Sequence, residues 1–156
     1  MVAGRIDARL QELDIDLPDA PAPAANYVPF VISGNLVFVA GQIPFTGGEI
    51  KHKGKVGTDY SVAEGKDIAR LCALNIIAQV KAACGGDLDR VVRCVKPGGF
   101  VNCADDFTQH PEVVNGASDL MVEVFGDAGR HARFAVGSNA LPRGVPVEVD
   151  AVFEVS

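Results

Sequence analysis

From Val145 to Val155 the chain alternates between two kinds of side chain. Val145, Val147, Val149, Ala151, Phe153 and Val155 fall in one set, and Glu148, Asp150, Val152 and Glu154 in the other. A period of two held over this length places the sets on opposite faces of a β-strand that is buried on one side. Upstream, Leu141-Pro142-Arg143-Gly144 reads as a turn that joins this strand to an earlier one beginning near Arg133. A strand of this kind demands a sheet, and the sheet demands something to cover its apolar face.

The rest of the chain supplies candidates for both. Ile6, Leu10 and Leu13 recur at helical spacing among Arg5, Asp7, Arg9, Gln11 and Glu12, a short amphipathic helix. The proline-rich segment 17–25 then reads as an extended linker. The segments 27–30 and 36–40 flank Ser33-Gly34-Asn35, a β-hairpin signal. Gly41-Gln42-Ile43-Pro44 ends the second strand; the glycine is either a bulge or a place where a ligand or second subunit approaches the backbone. The loop 45–57 has room for a short strand starting at Glu49. Ser61 and Glu64 form a capping box, and Gly85-Gly86 a stop, so the main helix is expected over 61–84. Residues 91–102 are β-rich, with Pro97-Gly98-Gly99 marking an interruption, an edge or a bulge. A second helix is expected with Pro111 in its first turn and Gly126 at its end.

This order, ββ(β)αβαββ after the N-terminal helix, specifies an α+β two-layer sandwich: a mostly antiparallel sheet with two helices on one face. Residues 1–25 form the N-terminal helix and linker, and 26–156 the domain proper. Val152, with Val31, Val37 and Val39 of the hairpin, suggests apolar residues on the second face as well, which argues for oligomerisation.

Several function classes are disfavoured. A net charge of −6 repels phosphate backbones, so nucleic acid is an unlikely general partner. Cys72, Cys84, Cys94 and Cys103 contain no C-x-x-C pair, and His52, His110 and His131 lie on separate segments, so no metal site is expected. No dinucleotide fingerprint, P-loop or nucleophile elbow is visible. The N-terminus lacks a leader's apolar segment and no apolar run reaches membrane-spanning length, so a cytoplasmic protein with reduced thiols is expected. What remains is Arg133, flanked by Ala132, Phe134, Ala135 and Val136. A guanidinium in such a setting needs either an ion pair, to Glu148 or Asp150 of another subunit, or a carboxylate ligand.

Ala132-Arg133, Leu141-Pro142, the run Val147 to Ala151, Gly41-Gln42-Ile43-Pro44, Phe100-Val101 and Asp105-Asp106-Phe107 together resemble the RidA/YjgF family of reactive-intermediate deaminases, over roughly residues 23–155. The resemblance implies a chorismate-mutase-like fold and a homotrimer with ligand clefts between subunits. It implies hydrolysis of 2-imino acids to 2-keto acids without metal or organic cofactor. Arg133 would hold the substrate carboxylate and Glu148 the hydrolytic water. Tyr27, Gly41, Gln42, Asn115 and the carbonyl of Ala135 would line the cleft. Family members typically start near Pro23, which makes the N-terminal helix an addition. Phe134 and the Gly137-Ser138-Asn139 stretch depart from the family pattern and leave the substrate open. A non-catalytic trimer that binds a small carboxylate metabolite is the competing reading. The endoribonuclease label carried by some relatives fits least with the acidic balance.

Overall fold

The computed structural model describes residues 3–156. Three helices, α1 (Arg5–Glu12), α2 (Val62–Ala83) and α3 (His110–Phe125), accompany seven strands: β1 (Phe30–Ser33), β2 (Leu36–Gln42), β3 (Phe45–Thr46), β4 (Glu49–Ile50), β5 (Val91–Asn102), β6 (Phe134–Ser138) and β7 (Val147–Val155). Five strands form one sheet in the order β1-β2-β7-β5-β6, while β3 and β4 make a separate small hairpin. All pairings are antiparallel except β5 with β6. The two strands joined by the Leu141–Gly144 turn are not neighbours, because β5 lies between them.

The alternation in β7 is realised in full. Val147, Val149, Ala151, Phe153 and Val155 are buried on the helix face, chiefly against α2, and the intervening residues are half-buried on the open face. Ile76, Ile77, Leu120, Met121 and Phe153 belong to one core and have no measurable exposure, and the Phe153 ring meets Phe125 of α3 edge-on at 5.8 Å. The Ser61–Glu64 capping box forms as a reciprocal pair of bonds. At the far end of α2, Gly85 and Gly86 take positive φ and return their N–H groups to Ala82 and Lys81 carbonyls. α2 and α3 cross at Gly116, where an added Cβ would lie 1.9 Å from the Lys66 carbonyl oxygen.

Three expectations need correction. β1 begins at Phe30, not Tyr27, and its turn to β2 is the two-residue Gly34-Asn35, with positive φ only at the glycine. Val37 and Val39 face the helices, at 0% and 5% exposure; the residues the hairpin gives to the open face are Val31 and Phe38, at 52% and 45%. β5 is one continuous strand inside the sheet despite Pro97. Its pairing with β6 starts only at Gly98↔Phe134, and its register with β7 shifts between Cys94 and Lys96, so the ladder closes around the missing donor.

α1 packs on the same core through Ile6 and Leu10. Its first turn is capped from a distance: the Asp89 carboxylate accepts from the N–H groups of Arg5 and Ile6 at 2.9 and 2.8 Å. Those two bonds, Ile6 foremost, hold the Asp89 carboxyl below its usual range. All four cysteines are free and buried. Burial pushes the Cys94 thiol up to about 12 and raises Cys72, Cys84 and Cys103 as well. Among the described residues no helix is long and apolar enough to cross a membrane.

Candidate functional site

The seven candidate residues sort into two groups on opposite sides of the sheet. Glu148 points to the open face from the start of β7, one residue after Val147. A register shift between Val39 and Gln42 bends β2 beside it, and the carboxylate lies across Gly41, where a Cβ would sit 2.4 Å from Glu148 Oε1. Gly41 is therefore at the bulge, and what approaches its backbone is this chain's own Glu148 carboxylate, which any side chain at 41 would displace. Gln42 is buried, its amide donating to the Ala40 carbonyl at 2.9 Å. Tyr27 stands outside the core at 46% exposure, its hydroxyl accepting from Ala24 N–H. Tyr27, Gly41, Gln42 and Glu148 share one recess, completed by Pro142, Arg143 and the strap Pro21–Ala24.

The strap is held by Gln79 of α2, a fully buried amide that donates to the Pro21 carbonyl at 2.6 Å. The recess encloses about 90 Å³, well short of the ~300 Å³ at which small-molecule pockets begin. Burial, and secondarily the nearby Asp150 carboxylate, raises the Glu148 carboxyl above its ordinary value. Among the described residues no cation forms an ion pair with it.

Arg133 lies on the other side. Phe134 is on the open face, its ring over Gly98 and near Asp150, so the preceding arginine turns toward α3. Its Nη1 donates to Ser118 Oγ at 3.0 Å and its Nη2 to the Pro111 carbonyl at 3.2 Å. Among the described residues it makes no ion pair. Three of a guanidinium's five donors are left for another partner. Asn115 lies between Pro111 and Ser118 on the same helical stripe, by its spacing of four and three residues.

The backbone of β6 contributes too. Ala132 N–H donates to the Val95 carbonyl, and the Ser138 carbonyl accepts from Cys103 N–H. Even-numbered residues of β6 thus turn their backbone toward β5. Odd-numbered ones, Ala135 among them, turn theirs to the free edge of the sheet. Arg133 and the Ala135 carbonyl thus belong to this edge, away from Glu148, and Asn115 shares the α3 stripe whose Pro111 and Ser118 hold Arg133.

Sequence reasoning missed the strap, Arg143, Ser118 and His131 as neighbours of these groups. His131 had a signal, since it shares the period-two face of Arg133; Ser118 is three residues beyond Asn115 on α3. His110 contacts Cys103 at 3.4 Å and His52 packs on Tyr60, so each imidazole has its own separate surroundings. Among the described residues no cluster suited to a metal ion is present.

Comparison with known proteins adds to this geometry. Residues 7–149 match the sequence profile described as "YjgF/chorismate_mutase-like, putative endoribonuclease". The chain is similar to the protein TCP17 of Trypanosoma cruzi, with 49% identity covering 100% of this chain and 98% of that one. It is also similar to Atu1372 of Agrobacterium tumefaciens, a solved structure titled as of unknown function, at 49% identity and a TM-score of 0.90 over 97% of this chain and 93% of that one. A more distant likeness is TdcF of E. coli, solved with bound serine, at 27% identity and a TM-score of 0.62 over 88% of this chain and 94% of that one.

Proposed function

The chain belongs to the YjgF/chorismate mutase-like family, and on that premise we propose that it hydrolyses small 2-imino acids to 2-keto acids and ammonia, in clefts between the subunits of a homotrimer. The observation that carries the reading is Arg133: a half-buried guanidinium with no carboxylate of its own, oriented by two neutral oxygens and presenting free donors at a sheet edge. Such a fork matches a carboxylate bidentately. The serine bound to TdcF, itself a carboxylate-bearing molecule, supports the ligand class.

The two groups of residues face away from each other within one chain, and the Glu148 recess, at about 90 Å³, is small for a ligand site. Both facts favour a cleft completed by a second copy. The β6–α3 edge of one subunit would meet the Glu148 recess of the next, a head-to-tail contact that closes as a ring. The exposed Val31, Phe38 and Val136 would be covered in the process.

In that cleft Arg133 holds the substrate carboxylate and so fixes the position of the imine carbon. Glu148 accepts a proton from a water as the water oxygen bonds to that carbon, and passes the proton to the imine nitrogen, giving a neutral carbinolamine. Glu148 then moves the carbinolamine hydroxyl proton to the amine as the C–N bond breaks, which releases ammonia, leaves the keto group and returns the carboxylate to its starting state. The Ala135 carbonyl and Asn115 orient the reacting atoms by hydrogen bonds. The electrophile is in the substrate, so the protein's work is placement and the shuttling of protons from oxygen to nitrogen.

The test is hydrolysis of a freshly generated 2-imino acid by the wild type, Arg133→Ala and Arg133→Lys. Loss of one charge-assisted contact, about 1.5–3 kcal/mol, should lower kcat/KM by roughly 10- to 100-fold in Arg133→Ala. Arg133→Lys should fall as well, because an ammonium cannot reproduce the fork. Equal rates in wild type and Arg133→Ala remove the reading. Binding of a 2-keto acid without turnover of the imine assigns the trimer to the binding of carboxylate metabolites instead.

A further inference from the structure

We propose that Ser118 and His131 are positioning residues for Arg133: a one-way hydrogen-bond relay that fixes the guanidinium without neutralising it. The inference rests on the carboxylate-binding role proposed above for Arg133.

The direction of each bond follows from the acceptor at the end of the relay. His131 Nδ1 lies 2.6 Å from the Gly129 carbonyl oxygen, which can only accept, so Nδ1 carries the ring proton. Nε2 is then an acceptor, 2.8 Å from Ser118 Oγ, and takes the hydroxyl's one hydrogen. The serine oxygen is left with lone pairs only, and one of them receives Arg133 Nη1 at 3.0 Å. Every proton in the relay is displaced away from the arginine, which polarises Ser118 Oγ into a better acceptor for it. The Pro111 carbonyl takes Nη2 and completes a two-point hold.

The choice of partners is what separates this hold from an ordinary structural ion pair. Two acids of α3 stand next to the anchoring residues, Glu112 after Pro111 and Asp119 after Ser118. Yet Asp119 pairs with Lys66 at 3.3 Å, and the guanidinium bonds to neutral oxygens instead. A carboxylate in their place would occupy the fork and cancel the charge that the ligand needs. Neutral oxygens set the rotamer of a long, flexible side chain and keep its charge available, which is preorganisation.

A neutral imidazole is required for the relay to run this way. Burial first, and the charge of Arg133 next, lower the His131 pKa below its ordinary value, which keeps the ring uncharged at neutral pH. The other charges nearby are spoken for: Arg130 pairs with Asp127, and Lys66 with Asp119.

Titration calorimetry with pyruvate, on the intact oligomer, tests the proposal in wild type, Ser118→Ala, Ser118→Thr, His131→Ala, Arg133→Ala and the double variant Ser118→Ala/Arg133→Ala. Removing one neutral hydrogen bond should weaken pyruvate roughly 3- to 10-fold in Ser118→Ala and in His131→Ala. Ser118→Thr keeps the hydroxyl and should restore most of the affinity. Ser118→Ala should have no further effect once Arg133 is alanine, because the serine acts only through it. Nitrogen-15 spectra of the wild type should show His131 as the neutral tautomer protonated at Nδ1, a readout that needs no variant to fold. Wild-type affinity in Ser118→Ala, alongside lost affinity in Arg133→Ala, overturns the relay and leaves the role of Arg133 standing. A tautomer protonated at Nε2 also overturns it. Unchanged affinity in Arg133→Ala overturns the parent reading and the relay together.

Discussion

At Glu148 the burial that shapes the recess also sets the chemistry. Loss of hydration, followed by the Asp150 charge, disfavours the ionised carboxyl and raises its pKa. A base must be ionised to accept a proton, so turnover should rise with pH along a limb whose midpoint lies above the ordinary glutamate value of ~4.3. Glu148→Gln should slow turnover and erase that limb while sparing keto-acid binding. Linkage gives an independent readout with a definite sign. The raised folded-state pKa contributes stability that is complete below the unfolded value and is lost as pH rises through the folded one. Glu148→Gln should therefore be the more stable protein at pH 7, and the difference in urea melts should disappear below the ordinary glutamate pKa. A variant that loses stability at pH 7 would mean the carboxylate has a favourable partner that the recess does not show. Arg133 stood out in the sequence as a charge heading an apolar strand, whereas Glu148 fits the alternation of β7 as Glu154 does and was singled out only by the family resemblance. Their supporting residues were not legible. Gln79 reaches Pro21 across 58 positions, and Asp89 caps a helix 83 positions away, and no local pattern encodes such a partnership.

Helices and strands followed the sequence wherever the deciding interactions were local. The capping box, the glycine stop of α2 and the period of β7 depend on residues within a few positions of one another, and each formed as written. Of the readings at Pro97 the bulge is realised beside it, between Cys94 and Lys96, while the strand itself runs on, because pairing with β6 starts only at Gly98, which is a tertiary fact. The crossing of α2 and α3 is another such fact, and it can be tested at Gly116. Replacing an interior helical glycine by alanine ordinarily stabilises a helix by about 1 kcal/mol. Here the new methyl would fall 1.9 Å from a backbone oxygen of Lys66, which cannot rotate aside. The helices would have to separate over the apolar core, and overpacking of this kind costs typically 1–3 kcal/mol or more. The steric cost should win, so Gly116→Ala should lower the stability of the protein by at least about 1 kcal/mol in chemical denaturation. A neutral or stabilising result would show that the two helices are not in backbone contact at this point.

At the scale of the whole molecule, the fold class and the layer order were readable from the succession of elements, but the division of the site was not. Period two assigns Arg133 and Glu148 to faces of their own strands; it says nothing about how those faces are arranged once β5 is inserted between β6 and β7. The structure places the two residues on opposite sides of one sheet, Arg133 against α3 and Glu148 on the open face. If one cleft uses both, two chains must build it, and this has a consequence that neither single variant can show. Arg133→Ala, down roughly 10- to 100-fold, and Glu148→Gln should each be well below one quarter of wild-type activity alone. On the proposed ring assembly, the two chains unfolded together in equal amounts and refolded should form mixed rings. In these, a cleft is intact whenever the subunit offering Arg133 is the Glu148→Gln chain and the neighbour offering Glu148 is the Arg133→Ala chain. Random assembly puts each of those chains in its place half the time, so about one quarter of the clefts should be wild type and about one quarter of the activity should return. A site built within one chain can never be restored by mixing, since every chain carries one defect. Return of activity would therefore establish the shared cleft. A mixture no more active than its parts, in oligomers shown by mass spectrometry to contain both chains, would place the whole site in a single subunit.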